Sequence, residues 1–336
     1  MMKTEQATIQ PGQVNLGFKE LTAKDVKRIL TELSSRSPPR EHRPRKCRRL
    51  EGVALIMNQI HAMPRPTHLK CLSFAGNPIG DAAMDHIRMI PDTVTDLNLA
   101  DCRLSPKGVT SLAEYLKTNK SVTQLKLGGN NAGLEGARAL AEMLQVNKNL
   151  RALSIRNCKI GPGGFAFIGM GILNNDSLKE LDISRQKDFS VEGDEYLQSF
   201  GEMATMITPN GDFCVLTLAV CLNPRQSLEK IDVSDLGATD RTADALAKYM
   251  KDNESLQEIE LGVKKSVSLD YGKPWSLVCH RLAENRLKRN LVNKVGASDR
   301  EWMDNLIEYS SHEMGLHGLY FILTNKPDLC RRQRVA

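Results

Sequence analysis

A chain of 336 residues, 41% apolar and 26% charged, has the composition of a folded globular protein, which excludes wholesale disorder, and its size makes disulfide staples unnecessary. The formal net charge of +6 biases it only mildly toward acidic partners, so the placement of charge says more than the total. The eight cysteines are scattered with no CxxC pair, and the apolar stretch Phe165 to Leu173 falls short of the roughly 18 residues a membrane span requires. Reduced thiols, no membrane association and a cytoplasmic location are the expectation, with the nucleus as an alternative.

In chain order, residues 1 to 17 lack periodicity and read as a mobile tail. Thr22 to Leu33 follows as an amphipathic helix opened by a threonine cap. Arg36 to Arg49 (RSPPREHRPRKCRR) holds three prolines among its basic residues and reads as an extended, solvated linker. Its cluster Arg43, Arg45, Lys46, Arg48 and Arg49 has two further readings: a contact for an acidic protein surface or nucleic acid, and a nuclear-localisation signal. No aromatic residues are interleaved to stack on bases, which argues against nucleic acid. Glu51 to His61 reads as the helix of an incomplete opening repeat.

From Leu69 onward one pattern recurs, L-x-x-L-x-L-x-x-N/C-x-I/L. It runs Leu69, Leu72, Phe74, Asn77, Ile79; then Val94, Leu97, Leu99, Cys102, Leu104; Val122, Leu125, Leu127, Asn130, Ala132; and Leu150, Leu153, Ile155, Cys158, Ile160. Three further units start at Leu178, Leu228 and Leu256, with Gln186, Leu236 and Lys264 in the polar slot. The first positions are separated by 25, 28, 28, 28, 50 and 28 residues. Helical periodicity fills the gaps, as in Gly108 to Thr118, Glu135 to Gln145 and Asp240 to Lys251. Each unit is therefore one strand and one helix. A single unit cannot bury its apolar face, so the units must stack.

The 28-residue period, the full helix after each strand and the alternation Asn77, Cys102, Asn130, Cys158 resemble the leucine-rich repeats of the ribonuclease-inhibitor type. The resemblance covers roughly Leu69 to Val263 and implies an α/β leucine-rich-repeat solenoid, a right-handed horseshoe with a parallel concave sheet, outer helices and helical caps. The polar slot departs from the pattern at Gln186, Leu236 and Lys264, where Asn or Cys would bridge the turn, so the resemblance does not fix the loop geometry there. Three regions result: residues 1–49 with tail, helix and basic linker; 50–263 with the repeats; and 264–336 as a helical C-terminal cap and tail. The 50-residue step carries about 22 extra residues near 185–209, including an expected helix over Gly193 to Ile207. They read equally as a binding insertion or a degenerate repeat. Pro274 to Val295 reads as a long cationic amphipathic helix that covers the last strand, followed by Glu301 to Tyr309 and an apolar segment at Leu316 to Thr324.

Catalytic chemistry is not suggested. His312 and His317 are five residues apart and cannot hold one ion from the same helical side, so no metal is expected. The glycines at Gly128-Gly129 and Gly161 to Gly164 lack a phosphate-binding arrangement and fall in turns between strand and helix. With no GxSxG elbow and no Cys/His signature, no catalytic residue, cofactor or enzyme activity is expected.

Within each strand, positions 1, 4 and 6 face the core, while positions 3 and 5 face the concave side. Position 3 reads Cys71, Asp96, Gln124, Ala152, Glu180, Lys230, Glu258, and position 5 reads Ser73, Asn98, Lys126, Ser154, Asp182, Asp232, Glu260. Glu180, Asp182, Asp232, Glu258 and Glu260 thus form an acidic band, opposed only by Lys230. A solvated face is one reading, and a site for the basic segment of a protein partner is the other. The expected function is a non-catalytic interaction scaffold, with the cytoskeleton or another large assembly as its setting. Two alternatives follow from similarity of repeat type: activators of the nuclear-transport GTPase, against which the basic end at Arg331, Arg332 and Arg334 counts, and the actin-end-binding tropomodulins.

Overall fold

In the computed structural model the described residues are 9–10, 13–15, 69–187, 211–222, 227–237, 240–251, 253–261, 278, 281–282 and 285–286. They form one nine-stranded sheet whose spatial order is its chain order. β1 (Ile9–Gln10) pairs antiparallel with β2 (Gln13–Asn15), and β2 runs parallel to β3 (Cys71–Ser73). Parallel pairing continues through β4 (Asp96–Asn98), β5 (Gln124–Lys126), β6 (Ala152–Ser154), β7 (Glu180–Asp182), β8 (Lys230–Asp232) and β9 (Glu258–Glu260).

The expectation of a mobile tail over residues 1 to 17 is corrected here, because β1 and β2 extend the sheet. The first repeat strand would otherwise present an unpaired row of backbone donors and acceptors, and the hairpin covers it. Strands of two and three residues are too short to show a readable alternation.

The crossover helices pack on one side of the sheet. They are α1 (Met84–Ile87, preceded by a 3-10 turn at Asp81–Ala83), α2 (Pro106–Thr118), α3 (Gly133–Val146), α4 (Gly161–Leu173), α5 (Gly211–Val220) and α6 (Asp240–Tyr249). The 25-residue first step of the repeat corresponds to the shortened helix α1. Consecutive helices are neighbours, so each lays its apolar stripe (Val109, Leu112 and Leu116 on α2; Ala137, Leu140 and Leu144 on α3) against the strand side chains Leu97, Leu125 and Leu153. Positions 1, 4 and 6 of the first six units are all buried, while every residue of positions 3 and 5 is partly or fully exposed. That is the α/β solenoid expected from the period.

Two polar ladders stitch the units together, because a strand-to-helix turn inside a stack must satisfy backbone groups that no sheet or helix bond reaches. Asn130, 3% exposed, donates from Nδ2 to the carbonyls of Leu99 (2.8 Å) and Leu127 (2.6 Å), while its Oδ1 accepts from the amides of Cys102 and Leu104, both 3.0 Å. Gln186 repeats the pattern two units, 56 residues, on: Nε2 donates to Ile155 and Ile183 carbonyls, and Oε1 accepts from Cys158 and Ile160 amides. At Gln186, where the resemblance left the loop geometry open, the longer amide serves the same four groups. Leu236 fills its slot as a buried apolar residue, and Lys264 lies outside the described residues. Between the amides, the Cys102 thiol donates to the Phe74 carbonyl and the Cys158 thiol to that of Leu127. Burial pushes both thiols up to about 12.

The second ladder joins helix ends to the next strand. Asn147 and Asn175 each donate to two carbonyls of the preceding unit (Leu116 and Asn119; Leu144 and Asn147). Each accepts the amides two and three residues onward. Asn119 and Asn253 take the same local amides. Beyond β9, Val278, Leu282 and Asn285 are helical and buried, and Asn285 donates to the carbonyls of Asn253 and Leu256. Thr22 to Leu33, Glu51 to His61, Gly193 to Ile207, Glu301 to Tyr309 and Leu316 to Thr324 lie outside the described residues.

The surplus of the 50-residue step has a defined place. Twenty-eight residues separate Asp182 from Gly211, where six separate Ser154 from Gly161, so the 22 additional residues lie between β7 and α5. Gly211 begins α5 against the turn after β8: a Cβ there would come within 2.0 Å of the Leu236 carbonyl oxygen, so only glycine fits.

Candidate functional site

The sheet face opposite the helices forms an open concavity of about 690 Å³ lined by position 3 and 5 side chains from β4 to β9 and by the turns that leave the strands. Register brings the acidic residues together: Glu180, Lys230 and Glu258 align across β7, β8 and β9, and Asp182, Asp232 and Glu260 align beside them. Neighbouring strands are roughly 4.8 Å apart, so Asp182, Asp232 and Glu260 form a row of like charges at close range.

The five carboxylates are not equivalent. Asp182 ends its strand in a side-chain turn: Oδ1 accepts from the Ser184 amide (3.1 Å) and hydroxyl (2.6 Å), and Oδ2 accepts from the Ser154 hydroxyl (2.7 Å). Asp232 takes the Ser234 amide at 2.9 Å in the same way, as Asn98 takes that of Ala100 at 3.1 Å. Glu258 and Glu260 share Lys230, whose ammonium lies 3.3 Å from the first and 2.6 Å from the second. Bonding to Glu260 raises the Lys230 pKa above its ordinary value; burial opposes it, and bonding to Glu258 adds to it. Glu180 is exposed, and its carboxylate makes no hydrogen bond or ion pair among the described residues.

A basic rim, absent from the sequence reading, borders this acidic floor. Arg156, Arg185 and Lys187, all exposed, line the same concavity from the turns after β6 and β7. The stem of Arg156 crosses Gly128, where a Cβ would sit 2.7 Å from its Cγ. Arg185 is held by Asp235, Nε to Oδ2 at 3.2 Å. It also adopts φ 58°, at the place where Gly76, Asp101, Gly129, Asn157 and Asp235 are left-handed in the other units. Gly, Asn and Asp tolerate that conformation, whereas arginine takes it at a cost of about 1 kcal/mol. A signal for the rim existed in the sequence: basic residues at positions 7, 8 and 10 of successive units. Arg43, Arg45, Lys46, Arg48 and Arg49 lie outside the described residues, as do His312 and His317. Among the described residues no group of His, Cys, Asp and Glu could hold a metal, and no helix is long and apolar enough to cross a membrane.

A leucine-rich-repeat family model matches four consecutive stretches, residues 65–85, 93–113, 118–141 and 146–168, which coincide with the units of β3 to β6. The chain carries leucine-rich repeats. No curated protein matches the sequence. Among solved structures, "Leiomodin-1 Actin-Binding Site 2 (ABS2)" is similar at a TM-score of 0.39 and 17% identity, over 64% of this chain and 95% of its own.

Proposed function

We propose that this protein is a non-catalytic interaction scaffold whose concave face binds the basic segment of a protein partner. The observation that carries this reading is the acidic floor: five carboxylates on three adjacent strands, with one lysine among them, on a face that the fold leaves open. Repulsion along the Asp182, Asp232 and Glu260 row is only partly offset by Lys230, and cationic side chains laid across it relieve the remainder. Leucine-rich repeats supply such a face by construction, since stacking places exposed columns beside one another. The 28-residue period and the full helix of each unit support assignment to the ribonuclease-inhibitor type. The cytoplasm, within a cytoskeletal or other large assembly, is the proposed setting, and the linker cluster at 43–49 the proposed contact for an acidic protein surface.

The test is capture of partners from native lysate by the full chain and by a variant carrying Glu180→Lys, Glu258→Lys and Glu260→Lys with Asp182→Asn and Asp232→Asn, which keep the turn acceptors. Partners lost in the variant, and lost from the wild type at high salt, support the reading. An unchanged partner set refutes it. Actin-filament co-sedimentation and single-turnover GTP hydrolysis decide the two narrower alternatives in the same preparations.

A further inference from the structure

The concavity carries two signs of charge, and their geometry specifies more than a basic segment. Along the chain, Asp182 ends its strand on the floor and Arg185 stands three residues on, in the turn that forms the rim, so chain length holds the two within about 10 Å. An α-helix with its side chains, about 10–12 Å across, is wide enough to meet both. Across the strands, the floor repeats every roughly 4.8 Å, close to the 5.4 Å helical pitch, so a helix lying perpendicular to the strands advances about one turn per strand. Over β7 to β9 the accumulated mismatch is about 1 Å, well within the reach of a lysine side chain. An extended peptide returns to the same side only every ~6.6 Å and loses register within two strands.

The rim is built rather than incidental. Arg156 and Lys187 form no ion pair among the described residues, the Gly128 gap seats the Arg156 stem, and Arg185 occupies a left-handed turn that costs less with Gly, Asn or Asp. Both charge sets line one concavity.

We propose that the trough over β6 to β9 receives an α-helix of a partner protein, lying across the strands, with a basic stripe on Glu180, Asp232 and Glu260 and an acidic stripe on Arg156, Arg185 and Lys187. The proposal rests on the concave face being the binding surface. It adds the partner's helical form, its orientation and its second stripe.

The test uses synthetic 20-residue helical peptides and the full chain, read by fluorescence anisotropy at low and physiological salt. One peptide carries a lysine stripe at i, i+4, i+7, i+11 and a glutamate stripe on the adjoining face. A second replaces the glutamates by glutamine, and a third has the composition of the first with the stripes scrambled. The two-stripe peptide is expected to bind about tenfold tighter than the glutamine peptide, the combined effect of three solvent-exposed ion pairs. Arg156→Glu, Arg185→Glu and Lys187→Glu together remove that tenfold preference and do not weaken the glutamine peptide. A two-lysine-stripe peptide then binds this variant better than the wild type, which also shows that the variant is folded. Equal binding of striped and scrambled peptides, or a rim variant indistinguishable from wild type, overturns the helical two-stripe proposal while leaving the acidic floor as a site for basic segments. Failure of all three peptides overturns both.

Discussion

Asn130→Ala tests whether the buried amide ladder holds the repeats together. The substitution strips four backbone groups of their partner: the amides of Cys102 and Leu104 and the carbonyls of Leu99 and Leu127. The Leu127 carbonyl keeps the Cys158 thiol, at 3.3 Å, so three groups are orphaned. A buried unsatisfied group costs about 1–3 kcal/mol, and the small cavity left by the amide admits little water, so the expected loss is about 4 kcal/mol. Against a total stability of about 5–15 kcal/mol that is severe. Asn130→Asp should cost more than alanine, because it keeps the acceptor but turns the two donated bonds into contacts between a carboxylate and two carbonyls. The assay is urea unfolding of wild type and both variants by far-UV circular dichroism, with the transition slopes compared to detect loss of cooperativity along the stack. An alanine variant within 1 kcal/mol of wild type, or an aspartate variant more stable than the alanine one, refutes the role assigned to the ladder.

Lys230→Met frees Glu258 and Glu260, so a lysine-rich peptide is expected to bind about fivefold tighter with a steeper salt dependence, while stability shifts by less than ~1 kcal/mol; tighter binding that is independent of salt would contradict an electrostatic floor. The Cys102 and Cys158 thiols sit at about 12 against an ordinary value of 9.0, so their contribution to stability is intact below pH 9 and is lost as pH rises from 9 to 12. Chemical denaturation at stepped alkaline pH should therefore show a falling midpoint in this window, flattened in the Cys102→Ser, Cys158→Ser double variant; equal slopes in both proteins would exclude these thiols as the cause.

Legibility followed burial. Leu97, Leu125, Leu153 and Leu181 declare themselves because a position facing the core must be apolar in every unit, and the 28-residue period then places strand, helix and exposed columns together. The acidic floor was legible for the same reason: once the alternation is set, Glu180 to Glu260 fall into register by arithmetic. The asparagine ladder was missed although Asn119, Asn147, Asn175 and Asn253 recur at the period, since an apolar template does not register polar positions. Gln186 broke the Asn/Cys rule in letters and kept it in atoms, which a consensus cannot foresee. The rim at Arg156, Arg185 and Lys187 left only a faint signal, because its residues sit at different repeat positions and meet only after the turns fold. The hairpin of β1 and β2 is specified by an open sheet edge rather than by its own few residues.

The floor's two kinds of carboxylate separate function from fold. Asp182 and Asp232 close the strand ends through Ser184 and Ser234, whereas the side chains of Glu180, Glu258 and Glu260 accept no bond from a backbone amide within the described residues. Replacing all five by residues without an acceptor oxygen would confound a lost partner with a loosened sheet. Asp182→Ala should cost about 1–2 kcal/mol, because the Ser184 amide and the Ser154 hydroxyl lose their acceptor, and Asp182→Asn should recover most of that by keeping an oxygen in place. Glu258→Gln with Glu260→Gln should change stability by less than ~0.5 kcal/mol, since the pairs with Lys230 are largely solvated, yet weaken a lysine-rich peptide severalfold. Urea midpoints and peptide anisotropy on the same three proteins give the answer. A stable Asp182→Ala, or a glutamine pair that binds as wild type, would mean that the floor is not divided in this way and that the carboxylates act as one undifferentiated field.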